Sequence, residues 1–185
     1  TALNTRLPRT IRITHAEYVP PGFHARFSAA RKTYRYCISR APVLSPFDAG
    51  LAWHRPLAWS TDILEQAVRL FLGTHDFTAF AALRGNEPRP IPADYFLRTI
   101  TQAQVVQEGE HVFITLTGTG FLYKMVRLMA GAAHEAARGK ITLDELARLI
   151  NYPRPDDKSP FCAPPDGLTL MQVHYAEEAP GNKQE

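Results

Sequence analysis

Two segments that alternate apolar with polar residues, 95–107 and 111–117, flank the short turn Glu-Gly-Glu. Side chains in a strand point alternately to its two faces, so this pattern predicts a β-hairpin with one apolar face. The run GTGFLYKMVRLMAG follows directly and predicts a helix, because its apolar residues recur at helical spacing. A hairpin joined to such a helix predicts a sheet that the helix covers on one side.

Other segments complete the fold prediction. Strands are predicted at 9–19, 32–40 and 168–175, and helices at 62–72 and 142–151. Ser60 or Thr61 is expected to cap the first of these helices and Gly73 to end it, while TLDE, with Glu145 at its end, predicts a capping box on the second. GTHDFTAF and RGNEPRPIPAD are predicted to form a long irregular connection, of the kind that often carries function.

This order predicts an α+β fold in one domain, 1–185, with an antiparallel sheet, helices on one side and a frayed tail at 176–185. The opposite face of the sheet is expected to be free for a ligand. No stretch of some 18 apolar residues is present to span a membrane. Cys37 and Cys162 lie too far apart for a CxxC motif, which is typical of a reduced, cytoplasmic protein.

Charge is distributed unevenly along the chain. Residues 1–56 hold nine Lys or Arg and two acidic residues, so they carry +7, and the remainder carries −4 to give the net charge of +3. An excess of this kind predicts a polyanionic partner, because phosphate contacts release counterions. A basic face that is simply hydrated is the alternative.

The usual markers of metal, cofactor and nucleophilic chemistry are not present. The seven histidines include no pair four residues apart and no HExxH, so neither a metal nor an organic cofactor is predicted. No GxSxG or comparable motif marks a nucleophile. These observations argue against a hydrolase.

Tyr34 and Tyr36 lie on one predicted strand face, next to Arg31, Lys32 and Arg35. Rings that stack on bases, with cations nearby for phosphates, are typical of nucleic-acid-binding surfaces. The alternative is that both rings belong to the core, which we favour for Tyr36 because Ile38 is beside it.

Arg127 lies within the apolar helix and shares a strip with Tyr123, Lys124, Gly131 and His134. Either this strip is hydrated or Arg127 faces a carboxylate. No acidic residue lies within four positions of it, so an ion-pair partner has to come from elsewhere in the protein.

Four ordered motifs, FHARFSAARKTYRY, FLGTHDFTAF, GTGFLYKMVRLMAG and PPDGLTLMQVHY, resemble the TruA family of tRNA pseudouridine synthases over nearly all of residues 2–175. The resemblance implies the pseudouridine synthase fold, built from ferredoxin-like halves. It also implies an isomerase that converts uridines in the anticodon stem and loop of tRNA without cofactor. Family members in bacteria usually act as homodimers.

The resemblance also assigns roles to residues. Tyr34 is similar to the tyrosine that stacks on the target uracil, Arg127 to the arginine that pairs with the catalytic aspartate, and Leu168 to an apolar residue of the base pocket. The remaining residues are expected to form the cleft or to bind the RNA backbone: His24, Arg26, Phe27, Arg31, Lys32, Arg35 and Lys124.

The family's catalytic aspartate lies in a GRTDAGVHA-like loop that this sequence does not contain and that family order places upstream of Thr1. Asp48, within SPFDAGLAWH, follows the KTYRY motif and resembles a connector instead. The chain is therefore expected to be inactive alone, as the larger carboxyl-terminal part of an enzyme. The alternatives are an RNA-binding module without catalysis, or a structural domain that binds no RNA.

Overall fold

The computed structural model describes residues 2–175. The elements, in chain order, are α1 (Ala2–Arg6), β1 (Ala29–Ser39), β2 (Trp53–His54), α2 (Thr61–Arg69), β3 (Gly73–Asp76), β4 (Leu97–Glu108), β5 (His111–Gly118), α3 (Met125–Ala137), α4 (Leu143–Asn151) and β6 (Leu168–Tyr175). Short 3-10 turns occur at Pro46–Asp48 and Thr78–Phe80. The predicted frayed tail, 176–185, lies outside the described residues.

The strands form one sheet in the order β2-β1-β5-β4-β3, and β6 pairs with β1 beside β2. Strands β4 and β5 form the predicted hairpin, whose tight turn contains Gly109 at a φ of 58°. The α+β class is thus confirmed. The sheet is mixed, however, because β1 and β2 run parallel over Ile38 and Ser39.

One face of the sheet packs against the helices. Tyr36 and Ile38 of β1 and Ile114 and Leu116 of β5 are buried on this face, where α3 contributes most of its residues to the same hydrophobic cluster. α2 and α4 also contribute buried apolar side chains to this cluster. The core therefore fixes the position of β1 relative to α3.

The predicted caps are confirmed. The Ser60 hydroxyl accepts a hydrogen bond from the Ile63 N–H, and Thr142 with Glu145 forms the complete capping box of α4. α2 nevertheless ends at Arg69 rather than at the predicted residue 72.

Two strand predictions need correction. Residues 9–19, predicted as a strand, form none, and Ile11 and Tyr18 are exposed. The Asn4 side chain instead forms hydrogen bonds of 2.8 and 2.9 Å with the backbone of Ile13. An alternating pattern does not by itself provide a partner strand, and no strand within residues 2–175 pairs with this segment. Conversely, Gly73–Asp76, predicted to be irregular, forms the edge strand β3 against β4.

None of the helices within residues 2–175 combines the length and the apolar character needed to cross a membrane.

Candidate active site

Tyr34 lies on the helix-facing side of β1, at the margin of the core. Its ring is half-buried and meets the Phe121 ring edge to face, with 5.0 Å between centroids. Tyr36, two residues further along, is completely buried and donates from its hydroxyl to the Pro164 carbonyl oxygen at 2.8 Å, and burial raises its pKa. The core interpretation of Tyr36 is confirmed, whereas Tyr34 borders open space.

Arg127 is the third residue of α3 and is half-buried. Its Nε donates a hydrogen bond to the Ala163 carbonyl oxygen at 2.6 Å, and the Ala163 N–H donates to the Arg127 carbonyl oxygen at 3.1 Å. Within residues 2–175 no carboxylate forms an ion pair with this guanidinium. The backbone carbonyl group of Ala163 therefore orients the Arg127 side chain.

Close approach between α3 and the segment 161–163 depends on Gly131. A Cβ atom at Gly131 would collide with the carbonyl oxygen of Phe161 and lie 3.0 Å from the Ala163 nitrogen. Gly131 is therefore packed, and His134 is fully buried, so the alternative of a hydrated strip on α3 does not hold for these two residues.

Tyr34 and Arg127 share one cavity of about 280 Å³, which we call the Tyr34 cavity. Leu168, the first residue of β6, lines it as well, since β6 pairs with β1 and places Leu168 opposite Tyr36. Lys124 lines the cavity too. Four residues expected at the site from the family resemblance are thus brought together, on the helix side of the sheet rather than on its free face.

Lys124 has an unusual backbone conformation. Its φ of 59° is the only positive φ of a non-glycine residue within 2–175, and it occupies the N-cap position of α3 without a side-chain capping bond. A left-handed conformation costs a side chain about 1–2 kcal/mol. The strain coincides with the point at which the chain turns from the cavity wall into the helix.

Residues 24–28 form a turn that leads into β1. The His24 Nδ1 accepts hydrogen bonds from the N–H groups of Arg26, at 3.1 Å, and Phe27, at 3.3 Å, and the two rings lie 4.5 Å apart. Neither His24 nor Phe27 lines the Tyr34 cavity, whereas Arg26 lines a neighbouring one.

The basic residues of β1 divide between the two sheet faces. Arg31 and Arg35 alternate with Tyr34 and therefore lie on the free face, where the Arg35 guanidinium stacks 4.8 Å above the Phe113 ring. Lys32 shares the face of Tyr34. The predicted cluster around Tyr34 is thus divided between the two faces of the sheet. Arg31 and Arg35 do not line the Tyr34 cavity, and they would contact RNA only where it passes over the free face.

Several residues that line the Tyr34 cavity were not predicted from the sequence. Phe121 and Tyr123 lie in the GTGFLYK motif, directly before the helix with Arg127, and their position there is the signal that indicates them. Arg84 belongs to the irregular connection, which carries no periodic signal, and its guanidinium stacks 4.2 Å from the Tyr123 ring centroid.

Asp48 is placed far from this cavity along β1. It pairs with the imidazole of His111 at 3.1 Å, and His111 lies opposite Ser39, at the other end of β1 from Tyr34. Among residues 2–175, His, Cys, Asp and Glu side chains form no group of three or more that could hold a metal ion.

A second polar cluster surrounds His134 near the end of α3. His134 is fully buried between the rings of Trp53 and Trp59, at 4.5 and 5.5 Å, and its Nε2 accepts from the Arg55 Nε at 3.4 Å. The other ring nitrogen therefore carries the hydrogen and faces Glu135 at 3.6 Å. Burial, with Arg55 nearby, lowers the pKa of His134 to about 4.

The sequence model of the family described as tRNA pseudouridine synthase matches residues 67–176. A tRNA pseudouridine synthase A from Akkermansia muciniphila is 87% identical over 182 residues, which cover 98% of this chain and 69% of the relative. A tRNA pseudouridine synthase A from Methylacidiphilum infernorum is 38% identical, over 94% of this chain and 66% of the relative. A tRNA pseudouridine synthase A 1 from Protochlamydia amoebophila is also 38% identical, over 96% of this chain and 68% of the relative.

The chain thus spans about two thirds of the length of these relatives. The predictions of family, fold class and function are confirmed by these matches together with the fold. The chain belongs to the TruA family of tRNA pseudouridine synthases.

Proposed function

We propose that this chain is the larger, carboxyl-terminal part of an isomerase that converts uridine to pseudouridine in the anticodon stem and loop of tRNA. The observation that carries the proposal is the convergence of Tyr34, Arg127 and Leu168 on one cavity. A base removed from its stack needs a ring to stack on and an apolar wall, and Tyr34 and Leu168 supply them.

Arg127 is proposed to pair with the nucleophilic aspartate, supplied by a segment upstream of Thr1. A guanidinium has five donors, and in Arg127 the Nε is bonded to Ala163, so the paired Nη groups can bind a carboxylate in bidentate fashion. Such an ion pair keeps the carboxylate ionised. The carboxylate then attacks the substrate while the bond from ribose to N1 of uracil breaks.

The base rotates against Tyr34 and rejoins ribose through carbon five. The bond between the substrate and the aspartate breaks, N1 of uracil takes up a proton, and the hydrogen at carbon five leaves as a proton. Neither metal nor organic cofactor takes part in the proposed reaction. We further propose that the complete enzyme works in the cytoplasm as a homodimer.

The test uses tRNA transcripts tritiated at carbon five of uracil. The 185-residue chain is expected to release no tritium, whereas a chimera that adds the unmatched third of the Akkermansia muciniphila relative releases it. Turnover by the chain alone would contradict the missing aspartate. A folded chimera that binds tRNA without turnover would favour the module that only binds RNA.

Variants of the chimera test the two residues. Tyr34→Ala and Arg127→Ala are expected to abolish tritium release and to leave tRNA affinity largely intact. Tyr18→Ala and Arg69→Ala are the matched controls, because both side chains are exposed and line neither the Tyr34 cavity nor its neighbour. Thermal unfolding separates lost chemistry from lost folding, and unfolding of both variants would return the two residues to purely structural roles.

A further inference from the structure

A second cavity of about 350 Å³ adjoins the Tyr34 cavity, and we call it the Arg98 cavity. The two have a common wall, formed by Arg84, Phe121, Leu122 and Tyr123. The other residues that line the Arg98 cavity include Arg26, Glu87, Tyr95, Phe96 and Arg98. A strand of RNA with one nucleotide in the Tyr34 cavity can therefore continue into the Arg98 cavity.

The Arg98 cavity carries an excess of positive charge. Arg26, Arg84 and Arg98 line it, and none of them forms an ion pair with a carboxylate within residues 2–175. The carboxylate of Glu87 accepts hydrogen bonds from the backbone N–H groups of Arg84, at 2.5 Å, and Gly85, at 2.8 Å. These bonds lower the pKa of Glu87 and tie its carboxylate to the backbone of the loop. This single negative charge offsets only one of the three guanidinium groups.

Arg98 is the most firmly positioned of these cations. It lies on β4, where one Nη donates to the carbonyl oxygens of Tyr95, at 3.0 Å, and Leu97, at 2.5 Å. Gly120 lies against the same side chain, since a Cβ there would be 3.4 Å from the Arg98 Nε. A guanidinium with five donors retains donors for a ligand in this arrangement.

Aromatic surface accompanies the cations. Tyr123 is 40% exposed, and the Arg84 guanidinium stacks over its ring at 4.2 Å. Rings that alternate with cations are the arrangement in which single-stranded nucleic acid binds, because bases stack on the rings while phosphates meet the cations. A small acidic ligand would contact the arginines but not the ring, and an apolar ligand would contact the ring but not the arginines.

We propose that the Arg98 cavity is a subsite for the nucleotide next to the target uridine, with Arg98 and Arg26 on its phosphodiester and the Tyr123–Arg84 pair stacked on its base. The inference rests on the proposed function. Moving a uridine out of its stack draws the neighbouring backbone along, and a preformed cationic subsite holds that backbone in place.

The test measures binding of the chain to an unmodified tRNA transcript over a series of salt concentrations. Arg98→Gln is expected to weaken binding about tenfold or more and to reduce the slope of log affinity against log salt by about one, because it removes a phosphate contact. Arg84→Gln is expected to weaken binding about tenfold with a smaller change of slope, because Arg84 stacks on the base. Arg98→Lys retains the slope and restores only part of the affinity. Arg69→Gln is the matched control, since it removes the same charge from the exposed face of α2.

The outcomes separate the two proposals. If the variants at Arg98 and Arg84 match Arg69→Gln in both affinity and slope, the subsite is wrong and the proposed function stands. If the wild-type chain binds the transcript no better than duplex DNA of equal length, both are wrong. Arg84 has no hydrogen bond to strand backbone comparable to those of Arg98, so it tests the subsite even if Arg98→Gln fails to fold.

Discussion

Arg127 and Ala163 are joined by two hydrogen bonds that run in opposite directions. The arginine Nε donates to the alanine carbonyl oxygen at 2.6 Å, and the alanine N–H donates to the arginine carbonyl oxygen at 3.1 Å. One of these bonds fixes the side chain and the other fixes the segment 161–163 on α3. The direction of the guanidinium is consequently set by residues 36 positions away in the chain.

Gly131→Ala tests the packing behind this pair. Helix propensity alone predicts stabilisation by about 1 kcal/mol. The collision with the Phe161 carbonyl oxygen should outweigh it, and we expect a loss of about 1–3 kcal/mol in the free energy of unfolding. Urea denaturation gives the sign directly. A more stable variant would show that segment 161–163 yields easily, and that Arg127 does not depend on it.

Arg127→Lys separates charge from geometry. Lysine keeps the positive charge but has no Nε–H to donate to Ala163 and no planar fork for a carboxylate. In the chimera we expect kcat well below the wild-type value yet above that of Arg127→Ala, with a stability loss of about 1 kcal/mol. Single-turnover tritium release measures the first and urea denaturation the second. Wild-type kcat in this variant would mean that charge alone suffices.

Lys124→Gly and Lys124→Ala form a matched pair at the start of α3. Both remove the cation from the Tyr34 cavity, but only glycine relieves the backbone at a φ of 59°. The glycine variant is expected to be more stable than the alanine variant by about 1–2 kcal/mol. Both should lose the same amount of tRNA affinity. Equal unfolding free energies of the two variants would contradict strain at this position.

His134 should make stability depend on pH. Its pKa is lowered from 6.5 to about 4 by burial and by Arg55, whereas Glu135 acts in the opposite direction and Arg138 adds to the lowering. Between these values the unfolded chain binds a proton that the folded chain does not, so the free energy of unfolding falls as the pH decreases from about 6.5 to about 4. The contribution is roughly 3 kcal/mol.

The comparison for this prediction is His134→Gln, which is expected to flatten that part of the stability profile. His15→Gln, at a side chain that is 74% exposed, should leave the profile unchanged. Denaturant unfolding across this pH range measures both. A wild-type slope in His134→Gln would assign the effect to other groups.

The sequence predicted those elements whose signals are local. The hairpin, the caps at Ser60 and Thr142 and the last strand each depend on a few adjacent residues, and the structure contains all of them. The predictions for residues 9–19 and for Gly73–Asp76 were wrong because strand formation depends on a partner strand, which alternation does not specify.

The site was predictable only in part for the same reason. The motifs around Tyr34, Arg127 and Leu168 indicated those residues. Within residues 2–175, however, Arg127 bonds the backbone carbonyl oxygen of Ala163, and because every residue has such a group, the sequence does not indicate this partner. Arg84 joins the cavity through a loop whose course depends on tertiary packing. His134 looked polar and exposed in the sequence, yet two tryptophans from a distant segment enclose it.

Tyr34 and Tyr36 lie two residues apart on one face of β1, one at the cavity and the other fully buried. The hydrophobic core thus lies directly behind the cavity in which, under the proposed function, the uracil turns. A packing defect beneath Tyr36 would tilt β1 and carry the neighbouring ring with it, so catalytic alignment should fail well before the chain melts. Substitutions that improve packing of the core beneath Tyr36 should for that reason hold the Tyr34 ring in a better-defined position.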